Sequence, residues 1–139
     1  MRYIAICHEN GRDVAEFRGS ERANPSARVG IDRDIFEEFL KVLKIEKIEL
    51  SEFRGEKRKV KEIYATDRDV AFELAMIYAY LLRVLRKEER KKLYGKIIES
   101  LLRLHMHELT FWNHHFARSR SRYEQDRVAR AFLTLYSIR

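Results

Sequence analysis

The opening of the chain alternates apolar and polar residues with the two-residue period of a β-strand. Residues 2–7 read RYIAIC, residues 12–17 read RDVAEF, and the Asn10–Gly11 dipeptide between them is favoured by two-residue hairpin turns. This pattern predicts a first β-hairpin. Residues 19–30 hold the densest Gly, Pro, Asn and Ser content of the chain, so they are predicted to form a surface loop.

A change to helical spacing marks the next element. Asp32 is a suitable N-terminal cap, and acidic residues follow near the positive end of the helix dipole. The apolar residues that share one face of this short predicted helix are Ile35, Phe36, Phe39, Leu40 and Leu43.

Alternation then returns on both sides of residues 54–57, which read RGEK. Residues 44–53 and 58–66 are therefore predicted to pair as a second hairpin. The second of these strands is rich in lysine, which discourages pairing with a further strand. We expect it at a protected edge of the sheet.

The remainder of the chain has helical periodicity. Residues 66–69 read TDRD, which has the form of a capping box, and a helix is predicted from there to about Arg86. A long helix is predicted from Glu89 to about Arg118, and a last one from about Tyr123. The helical part is thus expected to be a three-helix unit.

Together these elements predict an α+β fold with two N-terminal hairpins, a short helix between them and a three-helix unit after them. The length of 139 residues suits one domain, with a strand-rich part over residues 1–67 and a helical part over residues 68–139. Apolar residues make up 45% and charged residues 37%, which favours a folded chain over a disordered one.

Charge separates the two parts. The chain has a formal net charge of +7, and residues 1–67 hold 14 Lys/Arg against 14 Asp/Glu, so all the excess lies in residues 68–139. The abundance of Glu, Lys, Arg and Ile is typical of heat-adapted proteins. A single cysteine, Cys7, excludes an intrachain disulfide and a four-cysteine zinc site, and together with the lack of a long apolar segment it favours a cytoplasmic protein. We expect no cofactor and no membrane association.

Four of the five histidines lie in residues 105–115, which read HMHELTFWNHH. On one continuous helix, His105 falls in the apolar stripe and is expected in the core, whereas His107 and His114 fall on the opposite, basic face. Glu108 and His115 fall together at the margin of the apolar stripe. The segment therefore predicts three separate environments rather than one histidine cluster.

Catalysis or metal binding by this segment is the weaker alternative. His105 and Glu108 have the spacing that lets one helix offer two ligands or an acid/base pair, and His115 is a further candidate ligand. The zinc-protease pattern is absent, because Phe111 stands where the second histidine is required. A nuclease or hydrolase that depends on histidine and glutamate or on a metal stays open, but no catalytic residue or metal site is assigned.

The leading interpretation is a basic, non-catalytic protein that contacts nucleic-acid backbone within a larger complex, since rows of cations track phosphates. A helical protein–protein interaction subunit or homo-oligomer without nucleic acid is the alternative, and a protein partner is expected in either case. The residues predicted to bind nucleic acid are Lys92, Lys96, Arg103, His107, His114, Arg118, Arg120 and Arg122.

Overall fold

The computed structural model describes residues 1–138 and confirms the α+β class. Five antiparallel strands form one sheet in the order β3-β2-β1-β5-β4. The strands are Arg2–Glu9 (β1), Arg12–Arg18 (β2), Ala27–Gly30 (β3), Glu46–Ile48 (β4) and Val60–Thr66 (β5).

Five α-helices and one short 3-10 turn complete the described chain, and none of these helices is long and apolar enough to cross a membrane. The turn spans Leu50–Glu52. The helices are Arg33–Val42 (α1), Asp69–Val84 (α2), Lys87–Leu102 (α3), Met106–Arg118 (α4) and Arg122–Leu135 (α5).

The first hairpin has the predicted turn. Asn10 and Gly11 have positive φ angles of 51° and 75°, as a two-residue turn between twisted strands requires. The predicted loop over residues 19–30 is too long, because its last four residues form β3. Val29 is buried there between exposed Arg28 and Gly30, so the strand alternates over too few positions to stand out in the sequence.

The second hairpin exists, but its edge was predicted wrongly. β5 lies between β1 and β4, and β4, with only three residues, is the edge strand. Ile63 and Tyr64 of β5 are both buried, so apolar side chains on both faces of the strand favour an interior position. The lysines therefore do not protect an edge here.

The core lies between one face of the sheet and α2. Eleven residues of α2 are buried, and the helix contacts α1, α3, α4 and α5 as well as the sheet. A helix that is apolar on almost all sides must be surrounded in this way. A smaller apolar cluster, on the other side of β1, contains Ala5, Cys7 and Phe53.

The predicted long helix over residues 89–118 is wrong, because it is broken in two. α3 ends at Leu102, His105 is extended with φ −85° and ψ 162°, and α4 begins at Met106. Four helices rather than three therefore follow residue 68. Gly95 does not mark this break, since it lies inside α3 at an exposed position with open space beside it.

Candidate nucleic-acid interface

The predicted cations of α3 lie on its solvent side. Lys92, Lys96 and Arg103 are exposed, whereas Leu93 and Ile97 are buried on the opposite side. Arg103, at the C-terminal cap, pairs with Glu99 at 2.8 Å, but both side chains are more than half exposed, so water and salt screen the pair. We call Lys92, Lys96 and Arg103 the α3 row.

The predicted cations of α4 form a separate group. His107, His114 and Arg118 are exposed, and Trp112 and Phe116 are buried on the other side of the helix. Because α3 ends at Leu102 and a new helix begins at Met106, these side chains do not continue the α3 row as they would on one straight helix. The single basic stripe that the sequence indicates becomes two groups on two helices.

The last two predicted cations lie at the start of α5. Arg120 is exposed in the turn after α4, and its backbone N–H donates to the Glu124 carboxylate at 2.7 Å. Arg122 is the first residue of α5 and lines a cleft whose lining includes no residue of the α3 row. It therefore belongs to a different surface.

The prediction that His105 lies in the core is wrong. His105 is exposed and forms the N-terminal cap of α4, and its backbone N–H donates to a Glu108 oxygen at 3.0 Å. This hydrogen bond lowers the pKa of Glu108. Glu108 therefore stabilises the first turn of a helix, as a glutamate three residues after the cap commonly does.

His115 is exposed, and its ring contacts Phe111 with a centroid distance of 4.5 Å. Among residues 1–138, no three His, Cys, Asp or Glu side chains are grouped so that they could hold a metal ion. His105, Glu108 and His115 are thus not brought together as ligands.

Cys7 is buried in the cluster that contains Phe53 and Ile63. Burial raises the pKa of its thiol to about 12, and the nearby Glu16 carboxylate adds to this effect. A thiol that stays protonated at neutral pH is a poor nucleophile. Neighbouring His8 points elsewhere and contacts Asp13 at 2.9 Å.

The structure also contains a cleft of about 970 Å³, and of its lining residues only Arg122 was predicted from the sequence as a binding residue. It lies between the end of the first hairpin, the start of α1 and the adjoining ends of α2, α3 and α5. Six arginines line it: Arg12, Arg28, Arg33, Arg83, Arg90 and Arg122.

Four of these arginines already have acidic partners. Arg28 contacts Glu16 at 2.8 Å, and Arg83 contacts Asp126 at 2.9 Å. Arg90 contacts Asp32, the N-terminal cap of α1, at 3.5 Å. Arg33 contacts Glu37 within α1 at 2.7 Å and also pairs with Glu62 of β5. These four side chains hold the walls of the cleft together.

The other two, Arg12 and Arg122, are exposed and have no carboxylate within ion-pair distance in the part of the chain that the structure describes. No local motif marks the cleft, because each of its six arginines comes from a different helix or strand. Comparisons with models of known protein families, with curated proteins and with solved structures found no match for this chain.

Proposed function

We propose that this protein is a non-catalytic, nucleic-acid-binding subunit that acts inside the cell and contacts the phosphate backbone through the α3 row. The observation that carries the proposal is that Lys92 and Lys96 have no carboxylate within ion-pair distance among residues 1–138, while Arg103 has only a solvent-exposed one. Cations that are not already neutralised can release the counterions of a nucleic acid.

The α3 row is suited to backbone contact rather than base recognition. The one aromatic residue of α3, Tyr94, packs against the core, so the row offers no stacking surface for an unpaired base. Contact with phosphates alone positions a protein on nucleic acid without reading its sequence. We therefore expect similar affinity for oligonucleotides of different sequence.

The test is the double variant Lys96→Glu and Arg103→Glu. It is expected to lose retention on a polyanion column at moderate salt and to weaken binding to labelled duplex DNA and RNA in fluorescence anisotropy, because two phosphate contacts become repulsive. The matched control is Arg54→Glu with Arg58→Glu, which makes the same change in net charge at two exposed positions before β5.

The control is expected to be retained nearly as well as the wild type. Equal losses of retention in both double variants would show that only net charge matters. Unchanged retention of the Lys96 and Arg103 variant would reject nucleic-acid contact through the α3 row. Circular dichroism of each variant verifies that the fold is intact.

A second candidate function, a protein–protein interface, is favoured by exposed apolar side chains on and beside α4. Leu102, Met106 and Phe111 are 56%, 37% and 55% exposed. Large apolar side chains of this kind are common where a partner binds. If they form an interface between copies, light scattering without nucleic acid will show an oligomer that Phe111→Ser dissociates, whereas a monomer at all concentrations tested would reject self-association.

A further inference from the structure

The arginine-lined cleft combines positive charge with apolar surface. Two of its lining residues, Val14 and Ile31, are apolar and partly exposed. Its volume of about 970 Å³ lies within the range of small-molecule and cofactor sites. The cleft is therefore large enough for a ligand with both a charged part and a flat, apolar part.

The available positive charge comes from both sides of the cleft. Arg12 belongs to the sheet, at the start of β2, and Arg122 belongs to the helices, at the start of α5. An arginine guanidinium can donate two parallel hydrogen bonds to one phosphate group. Two such side chains that line one cavity can donate to a phosphate without giving up an existing ion pair.

The start of α1 adds to this charge distribution. Asp32 is the N-terminal cap, but its carboxylate makes no capping hydrogen bond and lies 3.5 Å from Arg90 instead. The first backbone N–H groups of a helix have no partner within that helix and carry partial positive charge. Because Arg33 and Asp34 line the cleft, this end of α1 lies beside it.

The acidic residues of the cleft argue against a ligand that is only a phosphate. Asp13 is held by His8 and Asp32 by Arg90, whereas exposed Asp34 has no cationic partner among the described residues. A free carboxylate repels a bare anion but accepts hydrogen bonds from hydroxyl or amino groups. Sugar hydroxyls and base amino groups are donors of this kind.

We infer that the cleft binds a nucleotide, with its phosphate at Arg12 and Arg122 and its base against Val14 and Ile31. Arginine side chains at the rim can also stack on a base. This site is separate from the α3 row, so it goes beyond the proposed function and does not depend on it. The nucleotide is either a free mononucleotide or the phosphorylated end of a strand, since the same chemistry is present in both.

The experiment is a titration followed by two-dimensional amide and arginine-side-chain NMR. The probes are adenosine 5′-monophosphate, adenosine and inorganic phosphate, and a short oligonucleotide with and without a 5′-phosphate. We expect adenosine 5′-monophosphate to shift the signals of Arg12, Asp34 and Arg122, with an affinity about tenfold or more above that of phosphate or adenosine alone, since each lacks one set of contacts.

The variant Arg12→Gln with Arg122→Gln is expected to weaken this binding by about tenfold or more, because hydrogen bonds to charged groups are the strong ones. The control Arg54→Gln with Arg58→Gln makes the same charge change and is expected to bind normally. The Lys96→Glu and Arg103→Glu variant is also expected to bind the mononucleotide, which separates the cleft from the α3 row.

Shifts at the cleft with the 5′-phosphorylated oligonucleotide, but not with its unphosphorylated form, would identify a strand end as a ligand. Shifts with the mononucleotide only would identify a free nucleotide. The inference is overturned if the mononucleotide leaves the cleft signals unchanged, if phosphate alone binds equally well, or if the Arg12 and Arg122 variant binds like the wild type.

Discussion

The Glu108 carboxylate stabilises the start of α4, at the break between α3 and α4. It accepts the N–H of His105 and is approached by the Tyr136 hydroxyl at 3.4 Å. Glu89 does the same at the start of α3, where it accepts the N–H of Arg86 at 3.0 Å. Both helices thus begin with an acidic residue that satisfies an otherwise unpaired donor and lies at the positive end of the dipole.

We predict that Glu108→Ala lowers the free energy of unfolding by about 0.5 to 2 kcal/mol, the usual range for loss of an N-terminal capping interaction. Glu108→Gln keeps the hydrogen bond to His105 and is expected to lose less. Urea denaturation measures both, and Glu99→Ala, at an exposed position inside α3, is the control. A Glu108→Ala variant as stable as the wild type would contradict the capping role.

At the scale of elements, the break between α3 and α4 determines the environment of the histidines in residues 105–115. Apolar residues keep helical spacing from Ile98 through Leu109 to Phe116, so periodicity alone predicts one helix. The local signal for the break is the spacing of His105 and Glu108, which fits both a capping box and a ligand pair. Only the extended backbone at His105 decides between them.

Polar contacts between elements cannot be predicted from sequence spacing either. Asn113 of α4 is buried, and its amide nitrogen donates to the backbone carbonyl of Glu73 in α2 at 3.0 Å and to the Glu73 carboxylate. In α1, Glu37 accepts hydrogen bonds from Arg33 and from Tyr64 of β5. These contacts fix how α1 and α4 lie against the rest of the fold.

The whole molecule responds to pH through half-buried carboxyl groups in α1 and α2, Glu37 and Glu73. Burial raises the pKa of Glu73, and the hydrogen bond from Asn113 offsets this only in part. Burial also acts on Glu37, but its interaction with the Glu62 carboxyl, whose own pKa is raised in turn, and hydrogen bonds from Tyr64 and Arg33 outweigh it and lower the pKa of Glu37 to about 2. The two groups therefore change the stability in opposite directions as pH rises.

We predict that Glu73→Gln and Glu37→Gln change the pH dependence of unfolding with opposite sign. The folded state holds the Glu73 proton more tightly than the unfolded state, so this contribution is present below the ordinary value of 4.5 and is lost as pH rises through the raised pKa. The stability of Glu73→Gln minus that of the wild type should therefore be more favourable at pH 7 than at pH 3.5.

For Glu37 the contribution is present above 4.5 and is lost as pH falls toward about 2, so Glu37→Gln should be destabilising at pH 7 and less so at pH 3. Thermal unfolding at several pH values measures both variants. Parallel pH profiles for the wild type and Glu73→Gln would contradict the role of that side chain.

The sequence by itself determined the α+β class, the first hairpin, α1 and the concentration of excess charge in residues 68–139, because each depends on local spacing, turn chemistry or composition. The tertiary structure decided the rest. It placed β5 inside the sheet, put His105 in solvent and brought Arg12 to the same cleft as Arg122. Those outcomes depend on which distant segments pack together, and pairing between segments far apart in the chain leaves no periodic trace in either segment alone.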